Sequence, residues 1–247
     1  MRFQRLTVVT VTIAALAGMG GCGSATTDSK PAATTQAAAD PLAEFVAASK
    51  KLGTETMKMK MEMPGGIEAS GVSDLAGKKV DMVMSVGAAG QTMEIAVRLV
   101  GDEMFMKYGA TAGAKWWRLD VSKLPASSSM NPKNMADASA FAQAAVKVEK
   151  NGDTFSGTLD MTKSPTADPE SLKALGDKAS AVPFTAKVDG EGRLTELVID
   201  MSSLGAGAGK MTTTYSDFGT PVSVEAPPAA EVTEMPAEML KSLSQTA

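Results

Sequence analysis

Residues 56–66 read TMKMKMEMPGG, setting Met57, Met59, Met61 and Met63 against Lys58, Lys60 and Glu62. A strict period of two marks a strand with one apolar and one wetted face. Pro64, Gly65 and Gly66 then supply a turn. The same period recurs in KKVDMVMSV at 78–86, where Val80, Met82, Met84 and Val86 share a face, and at 92–100, where Met93, Ile95, Val97 and Leu99 do. A run at 67–74 and the turn-rich joints MPGG and DLAGKK connect these segments. GDE at 101–103 turns into Met104–Tyr108, and AKWWRLDV at 114–121 adds another strand. The pattern predicts an antiparallel meander of five or six strands.

Upstream, DPLAEFVAASKKL predicts a helix over 41–52, with Asp40 as its cap, Pro41 at the first position and Leu42, Phe45, Val46 and Leu52 on one stripe. Downstream, NPKNMADASAFAQAAVKVEK predicts a helix over about 133–145 that can bury Met135, Phe141 and Val146. Strands follow at 146–150 and 154–161, a short helix at 168–176, a hairpin over 182–201 and a long strand at 210–219. Prolines keep TPVSVEAPPAAEV at 220–232 extended, and PAEMLKSL at 236–243 reads as a terminal helical turn. With nine to eleven strands expected and no βαβ rhythm, the expected class is α+β, a single domain over 41–247 on one antiparallel sheet.

The first residues bear on the compartment. Arg2 and Arg5 precede an apolar run from Leu6 to Ala17, and GMGGCGS at 18–24 places small residues before Cys22, the single cysteine. That is a signal peptide over 1–21 followed by a lipobox, with Met19 where leucine is commoner. The run is shorter than the roughly 20 residues a membrane span needs. Cys22 is therefore the expected lipid attachment site, and the tether at 22–40 is too small and polar to bury a core. The expected location is the outer face of the plasma membrane. With Cys22 acylated, no thiol remains for a disulfide, and the fold rests on packing.

Removal of Arg2 and Arg5 from the 24 basic residues leaves 22 against 28 acidic ones, a balance of −6. A nucleic-acid partner would want a basic footprint, so none is expected. The absence of histidine removes Ser-His-Asp, Cys-His and imidazole metal chemistry. Glu62, Asp81 and Glu94 fall opposite the apolar positions of their strands and read as a solvated face. GAGAGKMT at 205–212 fails as a phosphate loop, because Leu204 and Met211 stand where glycine and Ser or Thr are required. The chain is expected to be no enzyme and to hold no cofactor and no metal.

Methionine numbers 18 while aromatics make up 4% of the chain. Alternating apolar residues are what any half-buried sheet needs, so the stripes are consistent with a solid core. Methionine is also flexible and polarizable, which suits a surface meeting variable apolar shapes better than it fixes one packing. On that reading Met57, Met59, Met61, Met82, Met84, Met93, Ile95, Val97, Met104, Met106 and Phe141 are candidates for binding acyl chains. Trp116 and Trp117, adjacent on a strand, must face opposite ways.

The lipobox, tether and meander, with KWWRLDVSKL at 115–124, VPFTAKVDGEGRLTELVIDM at 182–201 and TTTYSDFGTPVSVEAPP at 212–228, together resemble the LppX/LprAFG family of actinobacterial envelope lipoproteins. The resemblance covers most of residues 41–235. It implies a strongly curved half-barrel sheet, related to LolA and LolB, with helices packed on the concave face around an apolar cavity. It also implies binding and carriage of acylated glycolipids or phospholipids by a monomer, with an envelope transporter as a further partner. The reading from a different class is a tethered interaction or scaffold module with a solid interior.

Overall fold

The computed structural model describes residues 40–88, 91–109, 114–124, 128, 139–163, 175–205, 208–236 and 238–240. The expected signal peptide, Cys22, nearly all of the tether, the first part of the 133–145 helix and most of the 168–176 helix lie outside these residues.

Helix α1 (Pro41–Lys51) starts where the sequence places it: the Leu42 amide donates to the Asp40 carboxylate at 3.1 Å, and Pro41 has no N–H to leave unpaired. Its stripe buries Phe45 and Ala48, and the chain then turns at Gly53. Six strands follow: β1 (Met57–Met63), β2 (Ile67–Asp74), β3 (Lys79–Ala88), β4 (Gln91–Val100), β5 (Glu103–Tyr108) and β6 (Trp116–Asp120). After α2 (Ser139–Gln143) come β7 (Ala145–Asn151), β8 (Thr154–Leu159), β9 (Val182–Val188), β10 (Leu194–Asp200), β11 (Lys210–Ser216) and β12 (Val232–Glu234). Gly65 and Gly66 turn β1 into β2 at φ of 82° and 75°, where a glycine pays no steric penalty.

All twelve strands form one sheet in the order β12-β6-β5-β4-β3-β2-β1-β11-β10-β9-β8-β7. Two meanders therefore meet at a single seam, with Lys58 opposite Ser216 and Met61 opposite Thr213. The expectation of a wholly antiparallel sheet of nine to eleven strands is corrected in one respect by β12, which pairs parallel to β6 through Val232–Trp116 and Glu234–Arg118.

The expected α+β half-barrel is also corrected. The sheet is mixed, open and not strongly curled: β12 and β7 are separate edges, and the helices are few. Barrel closure needs the outer strands to meet through a consistent tilt and stagger, and here each edge is blunted instead. β12 is only three residues long, and β7 carries an irregularity between Val146 and Glu149 with Lys147 at φ 52°. Short and bulged edges resist pairing with another chain.

Most apolar strand positions point to one side, here the inner face, although Phe105 and Trp116 are buried on the other; two clusters divide the inner core. Over β7–β10, α1 and α2 cover Phe155, Val182, Phe184 and Leu197 with Phe45 and Ala142. Over β3–β6, Val121, Leu124 and Met235 cover Val80, Leu99, Met104 and Leu119. On the outer face, the extended segment 217–231 buries Val224 and Pro227, and its Glu225 carbonyl accepts from Arg98 Nη1 at 3.5 Å.

Gly71 of β2 sits where a Cβ would lie 2.1 Å from the Asp81 carbonyl oxygen and 2.7 Å from Met82 Cα. Backbone cannot yield as a flexible side-chain tip can. Gly71→Val should therefore cost at least the roughly 1–3 kcal/mol of an overpacked site. A urea midpoint unchanged from the parent would contradict this close approach of β2 and β3.

Candidate functional site

Strand register arranges the inner-face side chains of the first meander in rows. Nearest one end of the strands lie Met57, Ser73, Val80, Leu99, Met104 and Leu119. Above them come Met59, Gly71, Met82, Val97, Met106 and Trp117, and then Met61, Ala69, Met84, Ile95 and Tyr108. The last row is Met63, Ile67, Val86 and Met93. Ten of the eleven candidate ligand-binding residues thus share one surface, because an even residue spacing and an unbroken register keep them on the same side.

Burial is greatest in the first row and lower beyond it, with Ala69 a buried exception. Every member of the first row is buried. In the next two rows the methionines, Ile95 and Val97 are half-buried, and in the last Met93 is 49% exposed. Met57 and Met104 accordingly belong to the closed cores, Met82, Val97 and Met106 border one of them, and Met59, Met61, Met84, Met93 and Ile95 occupy the partly open remainder. Phe141 is the exception. It lies in the helix-covered cluster, edge-on to Phe45 at 6.5 Å, and does not join the methionine rows.

Through the first three rows, β2 contributes only small groups, Ser73, Gly71 and Ala69, flanked by Met57, Met59 and Met61 of β1 and by Val80, Met82 and Met84 of β3. At about 3.4 Å per residue this furrow runs for roughly 14 Å. Ala69 is nonetheless only 4% exposed, so the side chains around it fold over the furrow. Thioethers can withdraw from such a position because they have several rotatable bonds and no branching.

Tyr215, opposite Met59 across the seam, adds a polar tip to this apolar surface. Burial of its hydroxyl pushes the pKa up to about 12. The folded value lies above the ordinary 10.0, so the neutral phenol's contribution to stability is intact below pH 10 and lost as pH rises through about 12. Tyr215→Phe should remove that part of the alkaline loss of stability. Identical pH dependence of unfolding in parent and variant would contradict the burial.

The tryptophans face opposite ways, as adjacent strand residues must, but neither is simply solvent-facing. Trp116 is buried on the outer face with the Arg98 guanidinium 5.0 Å from its ring centroid, whereas Trp117 lies on the inner face 5.1 Å from Tyr108. Glu62, Asp81 and Glu94 stand on the outer face. Glu62 pairs with Lys60 at 2.6 Å and Asp81 with Arg98 at 3.1 Å, so they are not arranged as a carboxylate pair. Phe218 lies under the Arg193 guanidinium at 4.8 Å, and Asp217 pairs with Lys58 at 2.6 Å.

Among the described residues, four cavities lie elsewhere. One of about 200 Å³ sits between α1 and Phe155, Val188 and Gly192. Another of about 410 Å³ lies between Phe105 and the segment around Pro227, and a third of about 240 Å³ beneath Thr220–Ser223. The fourth, of about 310 Å³, lies between Pro64 and Ser202, Gly205, Ala208 and Gly209, and none of the four includes the half-open methionines. Among the described residues no cluster of three or more acidic, cysteine or histidine side chains could hold a metal, and no helix is long and apolar enough to cross a membrane. No protein-family model matches this chain, and no curated protein sequence matches it.

Proposed function

We propose that this chain is a non-enzymatic, membrane-anchored lipoprotein of the cell envelope that binds acylated lipids on the half-open methionine face and carries or presents them. The observation that carries this reading is the gradient of burial across the rows, from a sealed first row to the exposed Met93. A sheet face needed only as core would be covered along its whole length. Here flexible apolar groups stay partly wet between two well-packed clusters. Removing hydrocarbon from water contributes about 0.8 kcal/mol per methylene, so one acyl chain along the furrow supplies ample driving force. The likeness to the LppX/LprAFG lipoproteins and the lipobox at Cys22 support the ligand class and the anchor. The half-barrel architecture forms no part of the proposal.

Native mass spectrometry of gently purified protein tests it. The expected result is a population carrying an extractable amphiphile. Bare polypeptide throughout, with no amphiphile in the organic extract, would overturn it. The burial of Ala69 favours a second reading, a tethered interaction module whose methionines close the furrow permanently. Such a module would remain empty after incubation with excess phospholipid.

A further inference from the structure

Exposure divides the methionines of the first meander. Met57 and Met104 are sealed, whereas Met59, Met61, Met63 and Met84 are half-buried and Met93 is 49% exposed. The open ones stand on both sides of β2. Met61 of β1 and Met84 of β3 are both opposite Ala69, Met63 is opposite Ile67, and Met93 of β4 is opposite Val86. With neighbouring strands about 4.8 Å apart, Met61 and Met84 start roughly 10 Å from each other across the furrow. An acyl chain resting there touches thioether on either side.

Thioether sulfur is the atom of this face that a mild oxidant converts. The chain has no histidine, and Cys22, its single cysteine, is the expected lipid attachment site. The sulfur lone pair attacks an oxygen of a peroxide: an S–O bond forms, the O–O bond breaks, and sulfur gives up two electrons. The departing hydroxide takes the proton from the transferred oxygen and leaves as water. The resulting sulfoxide is polar and accepts hydrogen bonds. Pressing such a group against hydrocarbon strips its water with nothing to replace it. Outside the membrane, the location proposed for this chain, cytosolic thiol reductants do not intercept the oxidant.

We infer that Met59, Met61, Met63, Met84 and Met93 form a site of sulfoxide modification by peroxides, and that their oxidation expels the bound acyl chain while the fold stays intact. The inference rests on the reading of this face as an acyl-chain site. Selectivity comes from burial: the oxidant reaches sulfur where the side chain meets water, so Met57 and Met104, which belong to the closed cores, are spared. The open side chains are unbranched and already partly wet, so each can turn its new S=O toward water without moving the backbone. The cost therefore falls on the ligand and not on the packing. Two electrons and two protons, delivered by a reductase of the methionine-sulfoxide class, remove the oxygen as water and restore the face.

The full chain, loaded with phosphatidylcholine carrying a pyrene-labelled acyl chain, is titrated with hydrogen peroxide. Peptide mass mapping reads oxidation at each methionine, pyrene fluorescence reads occupancy, and circular dichroism reads the fold. Met93 should convert first, and Met57 and Met104 at least about tenfold more slowly. Protein oxidised at the open positions should hold the probe at least about tenfold more weakly with its melting temperature retained, and methionine-sulfoxide reductase should return the binding. A variant carrying Met59→Leu, Met61→Leu, Met63→Leu, Met84→Leu and Met93→Leu keeps volume and hydrophobicity and should hold the probe before and after peroxide. Conversion of Met57 and Met104 in step with Met93 overturns the inference, and this order is read in the parent without any variant. So does full retention of the probe by protein oxidised at every open position, or peroxide-driven release from the leucine variant. Each of these outcomes leaves the acyl site standing. A parent chain that takes up no probe before peroxide is added fails the acyl-site reading itself, and the release inference falls with it.

Discussion

Phe45→Ala should remove about 3–5 kcal/mol of stability, the range for deleting a fully buried aromatic side chain. Phe45 has 0% exposure and is the point where α1 locks onto the second meander. Its ring lies 4.9 Å from Phe184, 5.6 Å from Phe155 and 6.5 Å from Phe141. Truncation therefore leaves a void bordered by three other rings, none of which can move without breaking its own strand or helix contacts. The rest of the α1 interface cannot compensate, since the ion pair between Glu44 and Lys150 is solvent-accessible and such pairs contribute about 0–1 kcal/mol. Denaturant unfolding of the variant, with Leu42→Ala on the exposed side of the same helix as control, measures the effect. A loss below about 1 kcal/mol would mean that α1 is not part of the cooperative core.

The second large effect concerns ligand. Met84→Trp, in the half-open third row beside Ala69, should abolish most of the co-purifying amphiphile while changing stability by under about 1 kcal/mol, because the indole can spread over surface that is already partly wet. Met104→Trp, in the sealed first row, should do the reverse and cost about 1–3 kcal/mol through overpacking. Met82→Trp and Val97→Trp lie between these extremes, on the border of the β3–β6 cluster. If Met84→Trp destabilised the fold as strongly as Met104→Trp, the third row would be ordinary core and the lipid-binding reading would lose its main support.

The alternation at 57–63, 79–86 and 92–100 was legible from sequence because a period of two on one strand needs no knowledge of its neighbours. The start of α1 was legible for a similar reason: Asp40 and Pro41 act within one turn. Curvature was not legible, since it depends on how bulges, twist and edge contacts accumulate over many strands. The resemblance to half-barrel lipoproteins therefore led to an architecture that the open sheet contradicts. Strand β12 lay hidden in a Pro-rich stretch, because three residues pairing with β6 more than a hundred positions earlier leave no periodic trace. Phe141 was placed with the methionines by its apolar character alone, whereas the packing of α2 against Phe45 carries it to the other cluster.

The sequence by itself determined that the strands of the first meander have one methionine-rich and one charged side, since alternation is written residue by residue. Only the tertiary structure decided which methionines are sealed and which remain open. Burial is a property of what packs above a side chain, and here the covering groups, α1 and α2 at one side and Val121, Leu124 and Met235 at the other, come from distant parts of the chain.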